Sequence, residues 1–281
     1  QDDYAVLRIP TWGSVTSEQL RAIASSSRKE GKGYALLTMR KGLELPWVKK
    51  EKVEEVVGGL EKSGLQTGSS NAKVRAVMAC AGQERCPFDL MDIERLAGEI
   101  NDRYYGRSMP RKFTITLCAC PNYCSHPYLN DVGIIGMAHP KINADKCIGC
   151  GQCVRLCRGD EGGALQQVEM NPPEIDYDKC IECGWCINNC PTGAMEAETR
   201  GCTIIVGGKG GSEPRLAVEL VRIAREEDTL DIIERIFQYM EEHSNDDERL
   251  ANVIDRKGVG HFKDYVLQAP AGLDADGGEE G

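Results

Sequence analysis

Two copies of one cysteine pattern constrain this chain more than any other feature. Cys147, Cys150, Cys153 and Cys157 follow C-x2-C-x2-C-x3-C; Cys180, Cys183, Cys186 and Cys190 repeat it, with Pro191 after the last. Three thiolates on one tight loop can hold three corners of an iron–sulfur cubane, and the fourth ligand then comes from the other motif. The spacing therefore assigns Cys147, Cys150, Cys153 and Cys190 to one 4Fe-4S cluster. Cys180, Cys183, Cys186 and Cys157 are assigned to a second. Gly149, Gly151 and Gly184 let the backbone curl and aim amides at sulfur. Zinc also uses C-x2-C, but zinc sites rarely need four cysteines in so dense a run, twice over. Disulfides suit small secreted chains. This chain has 281 residues, and most of its 14 cysteines stand in metal-ligand spacings, which points to a reducing compartment.

The segment from about Lys141 to Arg200 thus reads as a bacterial-type two-cluster ferredoxin module. Arg158 stands where proline usually follows the first motif. Around the module the pattern is α+β. Thr16 and Gln19 fit a capping box for a helix from Ser17, with Leu20 and Ile23 on one side. Tyr34–Thr38 reads as extended, Val53 to Leu60 as a helix ending near Gly64, and Val74–Cys80 as a buried strand. Asp89–Asn101 reads as a helix; Lys112–Cys118, Val132–Ile135 and Thr203–Val206 read as strands. Three amphipathic helices are expected to close the chain, on the stripes Leu216/Leu220/Ile223, Leu230/Ile233/Phe237/Met240 and Leu250/Val253/Ile254. This organisation divides into a half-domain at 1–67, a second domain at 68–140 and 201–270, and the module inserted at 141–200. The insertion ends, near Pro140 and Gly201, are expected at strand edges. The Gly/Asp/Glu-rich tail, 271–281, is expected to be disordered.

The net charge of −10 argues against a nucleic-acid partner, which calls for a basic surface. No apolar run reaches the length of a membrane span. No leader is visible, and the start at Gln1 leaves a removed one open. A cytoplasmic location is expected.

Four more cysteines lie outside the module: Cys80 and Cys86 in ACAGQERCPFDL, Cys120 and Cys124 in CPNYC. Each pair follows an expected strand, and together they could close a third 4Fe-4S site; buried free thiols are the alternative. At these residues the chain resembles the siroheme-dependent sulfite and nitrite reductases, in which C-x5-C and C-x3-C hold a cluster coupled to siroheme. VRAVMACAG, PRKFTIT, NDVGIIG, IIVGGKGG and LLTMRKGLEL are similar to family segments, from Leu7 to about Leu267. Within that family the chain resembles the small anaerobic sulfite reductases, which carry an inserted ferredoxin.

The resemblance implies three 4Fe-4S clusters and siroheme, with Cys124 bridging cluster and siroheme iron. It places Arg8, Arg75 and Lys112 toward a small oxyanion, sulfite or nitrite. Arg40, Lys112, Asn122, Gly207, Gly208 and Lys209 are implied in cofactor binding. Siroheme carries many carboxylates, so its site needs permanent positive charge in an acidic protein. The implied activity is six-electron reduction, of sulfite to sulfide in the favoured case, with electrons entering through the ferredoxin clusters. The chain shows no flavin or nicotinamide motif, so a ferredoxin or flavoprotein subunit must donate electrons. A homodimer or heteromer is expected, because only one half-domain is present. Three departures stand out: Thr114 replaces a second lysine, Trp12 sits in a stretch usually rich in glycine, and Cys118 replaces a small polar residue. Cys118 and Cys202 read as structural thiols. His126 and His139 could deliver protons but are more commonly satisfied loop histidines. An electron-transfer subunit without siroheme is the competing reading.

Overall fold

A computed structural model describes residues 3–11, 14–68, 71–80, 82, 85–159, 163–168 and 172–268. The expectations for Trp12 and for the 271–281 tail lie outside these residues. The chain begins with β1 (Tyr4–Ile9), α1 (Ser17–Glu30), β2 (Leu36–Leu37), β3 (Leu43–Lys49) and α2 (Val53–Glu61). β1, β3 and β2 form an antiparallel sheet in that order. Leu7, Ile9, Leu43, Leu45 and Val48 from the sheet meet Ile23, Val56 and Leu60 from the helices. The capping box at Thr16 is present in both directions. It satisfies two backbone donors that a helix start leaves open. Leu20, expected inside, is 49% exposed: with the sheet covering one side only, Ile23 alone of the pair reaches it.

The second unit is built on a five-stranded sheet. Its strands are β4 (Met78–Ala79), β5 (Ile115–Cys118), β6 (Val132–Ile142), β9 (Met195–Val206) and β10 (Val218–Ala224), and they lie in the order β10-β9-β6-β5-β4. β4, β5 and β6 are parallel; β9 and β10 are antiparallel to their neighbours. α3 (Ile93–Tyr104) and the C-terminal helices α6 (Thr229–His243), α7 (Leu250–Lys257) and α8 (Val259–Leu267) cover one face. Within this core Tyr104 meets Phe237 edge to face, and Phe113 packs on Phe237 at a tilt. Two expectations change. Only Met78 and Ala79 of the run 74–80 are in a named strand; Val74 makes an isolated bridge to Phe113. The Leu216/Leu220/Ile223 stripe is not a helix: Val218–Ala224 is an edge strand, and Leu216 is exposed. Its β-branched residues Val218, Val221 and Ile223 favour a pleated surface.

Between β6 and β9 lie α4 (Gln152–Leu156), the two-residue strands β7 (Leu165–Gln166) and β8 (Glu174–Ile175), and α5 (Trp185–Asn188). Pro140 and Gly201 are not at strand edges. The β6–β9 ladder runs in one register from Val132↔Val206 through Met137↔Gly201 to His139↔Thr199, then shifts by one residue and continues from Pro140↔Ala197 to Ile142↔Met195. The cysteine-dense segment grows from the far end of this ladder.

Candidate functional site

Four cations from four stretches of sequence line one open cavity of about 360 Å³: Arg8 on β1, Arg40 in the turn before β3, and Arg75 and Lys112 before β4 and β5. Thr38, Tyr105 and Thr114 share its wall. Arg40 ties the two units together. Its guanidinium donates to Asn130 Oδ1 (3.2 Å) and to the Ala76 carbonyl (3.0 Å), while its Nε is buried with no hydrogen-bond partner. Burial lowers the Arg40 pKa to about 10; Asp131 opposes the shift, and Arg75 and Arg249 reinforce it. Burial also lowers Arg75, helped by Arg8. Lys112 is lowered by burial and by Arg249, Arg75 and Arg111, against the pull of Asp131. Cations that depress one another want an anion between them. Arg8 has a partner, Glu44, at 2.9 Å, and Arg75 donates to the Asn71 carbonyl at 3.0 Å.

Thr114 is not a vacant substitute for lysine. Its hydroxyl (2.7 Å) and N–H (2.9 Å) both donate to Asp131 Oδ2. Asp131 is fully buried and also receives the fork of Arg249, at 2.9 and 2.7 Å. A lysine at 114 would disturb a carboxylate that is already satisfied. Arg249, from the residue before α7, thereby brings a further guanidinium to the Lys112 side of the cavity.

The outer cysteines come together where β4 and β5 end. Burial pushes the Cys120 thiol up to about 11, and the neighbouring thiols of Cys86, Cys80 and Cys124 push the same way. The Ala119 N–H donates to Cys80 Sγ at 3.2 Å. Cys124 is exposed. Asn122 accepts from Arg158 at 3.0 Å. Cys118 is buried beside this group, accepting from the Ser125 N–H at 3.4 Å, and burial pushes it to about 12. Cys202 is buried against Thr229 at 3.2 Å.

Several cysteines of the 141–200 segment lie close to one another. Burial pushes Cys186 to about 12, with Cys183, Cys180, Cys157 and Cys153 adding to it. Burial raises Cys153 as well, with Cys190 and Cys150 as its thiol neighbours. Backbone amides reach sulfur from Ala164 to Cys157 (3.1 Å) and from Met195 to Cys190 (3.4 Å). At Cys190 burial alone would raise the pKa, but donors from Met195, Thr192 and Ala194 outweigh it and the thiol is lowered. Such amides stabilise thiolate. Among the described residues no three His, Cys, Asp or Glu side chains converge closely enough for a single metal ion. A cubane spreads its ligands instead, one sulfur to each corner iron.

The other expected residues sit on the supporting frame. Gly207, at φ +76°, and Gly208 form the turn after β9. The Gly207 N–H bonds to the Asp131 carbonyl at 2.8 Å, and a Cβ on Gly208 would lie 2.3 Å from the Tyr128 carbonyl. Lys209 faces Glu213 at 3.8 Å. His139 bonds Glu182 at 2.9 Å and stacks on Tyr177; it is satisfied, but it stands on β6 and pairs with Thr199 rather than lying in a loop as expected. His126 lies at φ +52° in the turn before Pro127.

Residues 70–272 match the family model for the nitrite and sulphite reductase 4Fe-4S domain, and residues 1–63 match that for the nitrite/sulfite reductase ferredoxin-like half domain. The chain belongs to the nitrite and sulphite reductase family. It is 38% identical to the coenzyme F420-dependent sulfite reductase of Methanocaldococcus jannaschii over 83% of this chain and 37% of that protein. It is 29% identical to one subunit of the anaerobic sulfite reductase of Salmonella typhimurium over 57% of this chain and 50% of that subunit. The chain thus spans half the length or less of these two relatives. The crystal structure of dissimilatory sulfite reductase I superposes with a TM-score of 0.78 at 21% identity, covering 99% of this chain and 72% of that one; it shares the fold. Within this reductase fold, sequence reasoning missed Asp131, Arg249 and Arg158 as site neighbours. Asp131 lay inside the family segment NDVGIIG. Arg249 had no local signal, because it reaches Asp131 across 118 residues.

Proposed function

We propose that this chain is the catalytic unit of a siroheme- and iron–sulfur-dependent reductase that converts sulfite to sulfide. The observation that carries this reading is the convergence of Arg8, Arg40, Arg75 and Lys112 on one cavity. The unpartnered Arg40 Nε and the mutually lowered cations suit the carboxylates of a tetrapyrrole and a small oxyanion. Siroheme coupled to a cubane, when bound, supplies the multi-electron chemistry. Arg40 and Lys112 would hold its carboxylates, with Gly207, Gly208, Lys209 and Asn122 shaping the surround. Arg8, Arg75 and Lys112 would bind and orient the anion, with the Lys112 pKa lowered by burial and by the neighbouring Arg249 and Arg75. Cys80, Cys86, Cys120 and Cys124 would hold the coupled cluster, Cys124 nearest the siroheme iron.

Residues 141–200 would form an inserted ferredoxin domain with two clusters, one on Cys147, Cys150, Cys153 and Cys190, the other on Cys157, Cys180, Cys183 and Cys186. The second set lies against the core: Ala138 bridges Cys183, and Phe88 and Ile187 pack with Cys120. The first set is the outward one, with Cys150 and Ile148 exposed. It is therefore the side at which a ferredoxin or flavoprotein donor would deliver electrons. The domain limits that fit are 1–67, 68–140 with 201–270, and 141–200. Among the described residues no helix is long and apolar enough to cross a membrane. Cysteines in metal-ligand spacing need reduced thiols, and on that ground the cytoplasm is the proposed location. Leu37 (88%) and Met39 (86%) stand exposed on the edge-strand side of the half-domain, with Met39 lining the cavity. A second copy of the chain, seated there, would cover them and close the cofactor site.

Anaerobic purification tests this reading. Three cubanes require about twelve cluster irons per chain, plus one for siroheme. The expected protein shows a siroheme Soret band and long-wavelength band, turns over sulfite with a reduced dye, and sediments as a dimer. Iron near eight with alkylatable outer cysteines removes the third cluster, and a broad cluster shoulder alone removes the siroheme. A particle of about 31 kDa that retains full siroheme removes the dimer.

A further inference from the structure

Arg158 occupies the seam between the 141–200 segment and the outer cysteine site. It follows Cys157 directly, at the place where proline usually stands. Its guanidinium donates to Asn122 Oδ1 at 3.0 Å, inside the CPNYC loop. The same group lies 4.3 Å from the ring centre of Phe88 and 5.7 Å from that of Trp185. Phe88 is two residues beyond Cys86, and Trp185 is one before Cys186. The two rings pack at 4.0 Å with a 33° tilt. One side chain thus touches residues next to both cysteine sets. Proline could make neither the hydrogen bond nor the cation–π contact, and lysine could replace the charge but not the planar fork.

We propose that Arg158 is a positioning residue for electron transfer. It holds the CPNYC loop to the inner cysteine set, and its charge sets the electrostatic field at the cluster on Cys157, Cys180, Cys183 and Cys186. The assignment rests on the two-cluster reading of residues 141–200. A fixed cation beside a cluster favours the reduced form, which carries one more negative charge. Taking the cation away therefore makes that cluster harder to reduce.

The test is an EPR-monitored redox titration of the full-length, cluster-loaded protein and its Arg158→Gln, Arg158→Lys and Arg158→Pro variants. Gln and Pro shift the inner cluster to lower potential, so that at a fixed poise its reduced-to-oxidised ratio falls about threefold. Lys keeps the parent ratio. The cluster on Cys147, Cys150, Cys153 and Cys190 stays unmoved in all three. An unchanged inner midpoint in both Gln and Pro overturns the assignment, as does a Lys variant that shifts like Gln. If Pro fails to assemble its clusters, the Gln and Lys pair decides alone. A parent protein with no inner-cluster signal overturns the two-cluster reading itself, and Arg158's role with it.

Discussion

The five-stranded unit and the 141–200 segment hold themselves together by different means. The sheet buries a continuous apolar core between its strands and α3, α6, α7 and α8. In the cysteine segment the helices run five and four residues and the paired strands two. Its small core is Leu165, Cys186 and Met195, with Cys153, Cys157 and Cys190 among the residues packed around it. Prospective ligands are there part of the packing. Short elements cannot stand without tertiary support, so in one region metal would complete the fold, and in the other it would occupy a fold already made.

The largest effect should follow removal of iron. Chelation under reducing conditions should strip hydrogen-exchange protection from residues 143–194 while β5, the first half of β6 and the end of β9 keep theirs, because metal binding is folding energy only where the fold lacks another source. Equal loss in both regions would break the contrast. Next comes Asp131→Ala, which leaves Arg249 buried without its partner. It should cost about 3–5 kcal/mol in chemical denaturation of the sheet unit and leave the module's cluster EPR unaltered. Arg75→Ala or Lys112→Ala should cost on the order of 1.5–3 kcal/mol in anion binding or transition-state stabilisation. The readout is a fall in turnover of about tenfold or more, with the cofactor still bound; unchanged turnover at saturating reductant would show that the cavity does not serve the anion. The smallest effect is Thr16→Ala, which removes the capping box and should cost about 1 kcal/mol, seen as faster exchange at the start of α1 and nowhere in the cysteine segment.

The same contrast governs how much could be read from sequence. Ligand spacing is local, so the eight module cysteines and their grouping could be proposed from the chain alone. The cap at Thr16 and the stripes of α6 and α7 are local too. What escaped was non-local or ambiguous. Residues 216–223 carry apolar positions that fit a helical stripe, yet Val218–Ala224 pairs with β9, since a free sheet edge was available and propensity yielded to pairing. The four basic residues could be matched to family positions, but their meeting in one cavity depended on Arg40 crossing from the half-domain to Asn130. Asp131, Thr114 and Arg249 formed a network that no window of sequence contains.

The β6–β9 ladder also bears on how such a chain could arise. In topological terms it is a hairpin whose turn has been replaced by residues 143–194, while every rung from Val132↔Val206 to Met137↔Gly201 keeps its register. Register decides which face each side chain takes, so an insertion at the tip leaves the inward face of the sheet untouched. Closing a longer loop costs little more than closing a short one, since the entropy grows only with the logarithm of length. A gene segment could therefore enter or leave at this tip without rerouting the strands on either side of it, and the cavity lined by Arg8, Arg40, Arg75 and Lys112 would keep its walls.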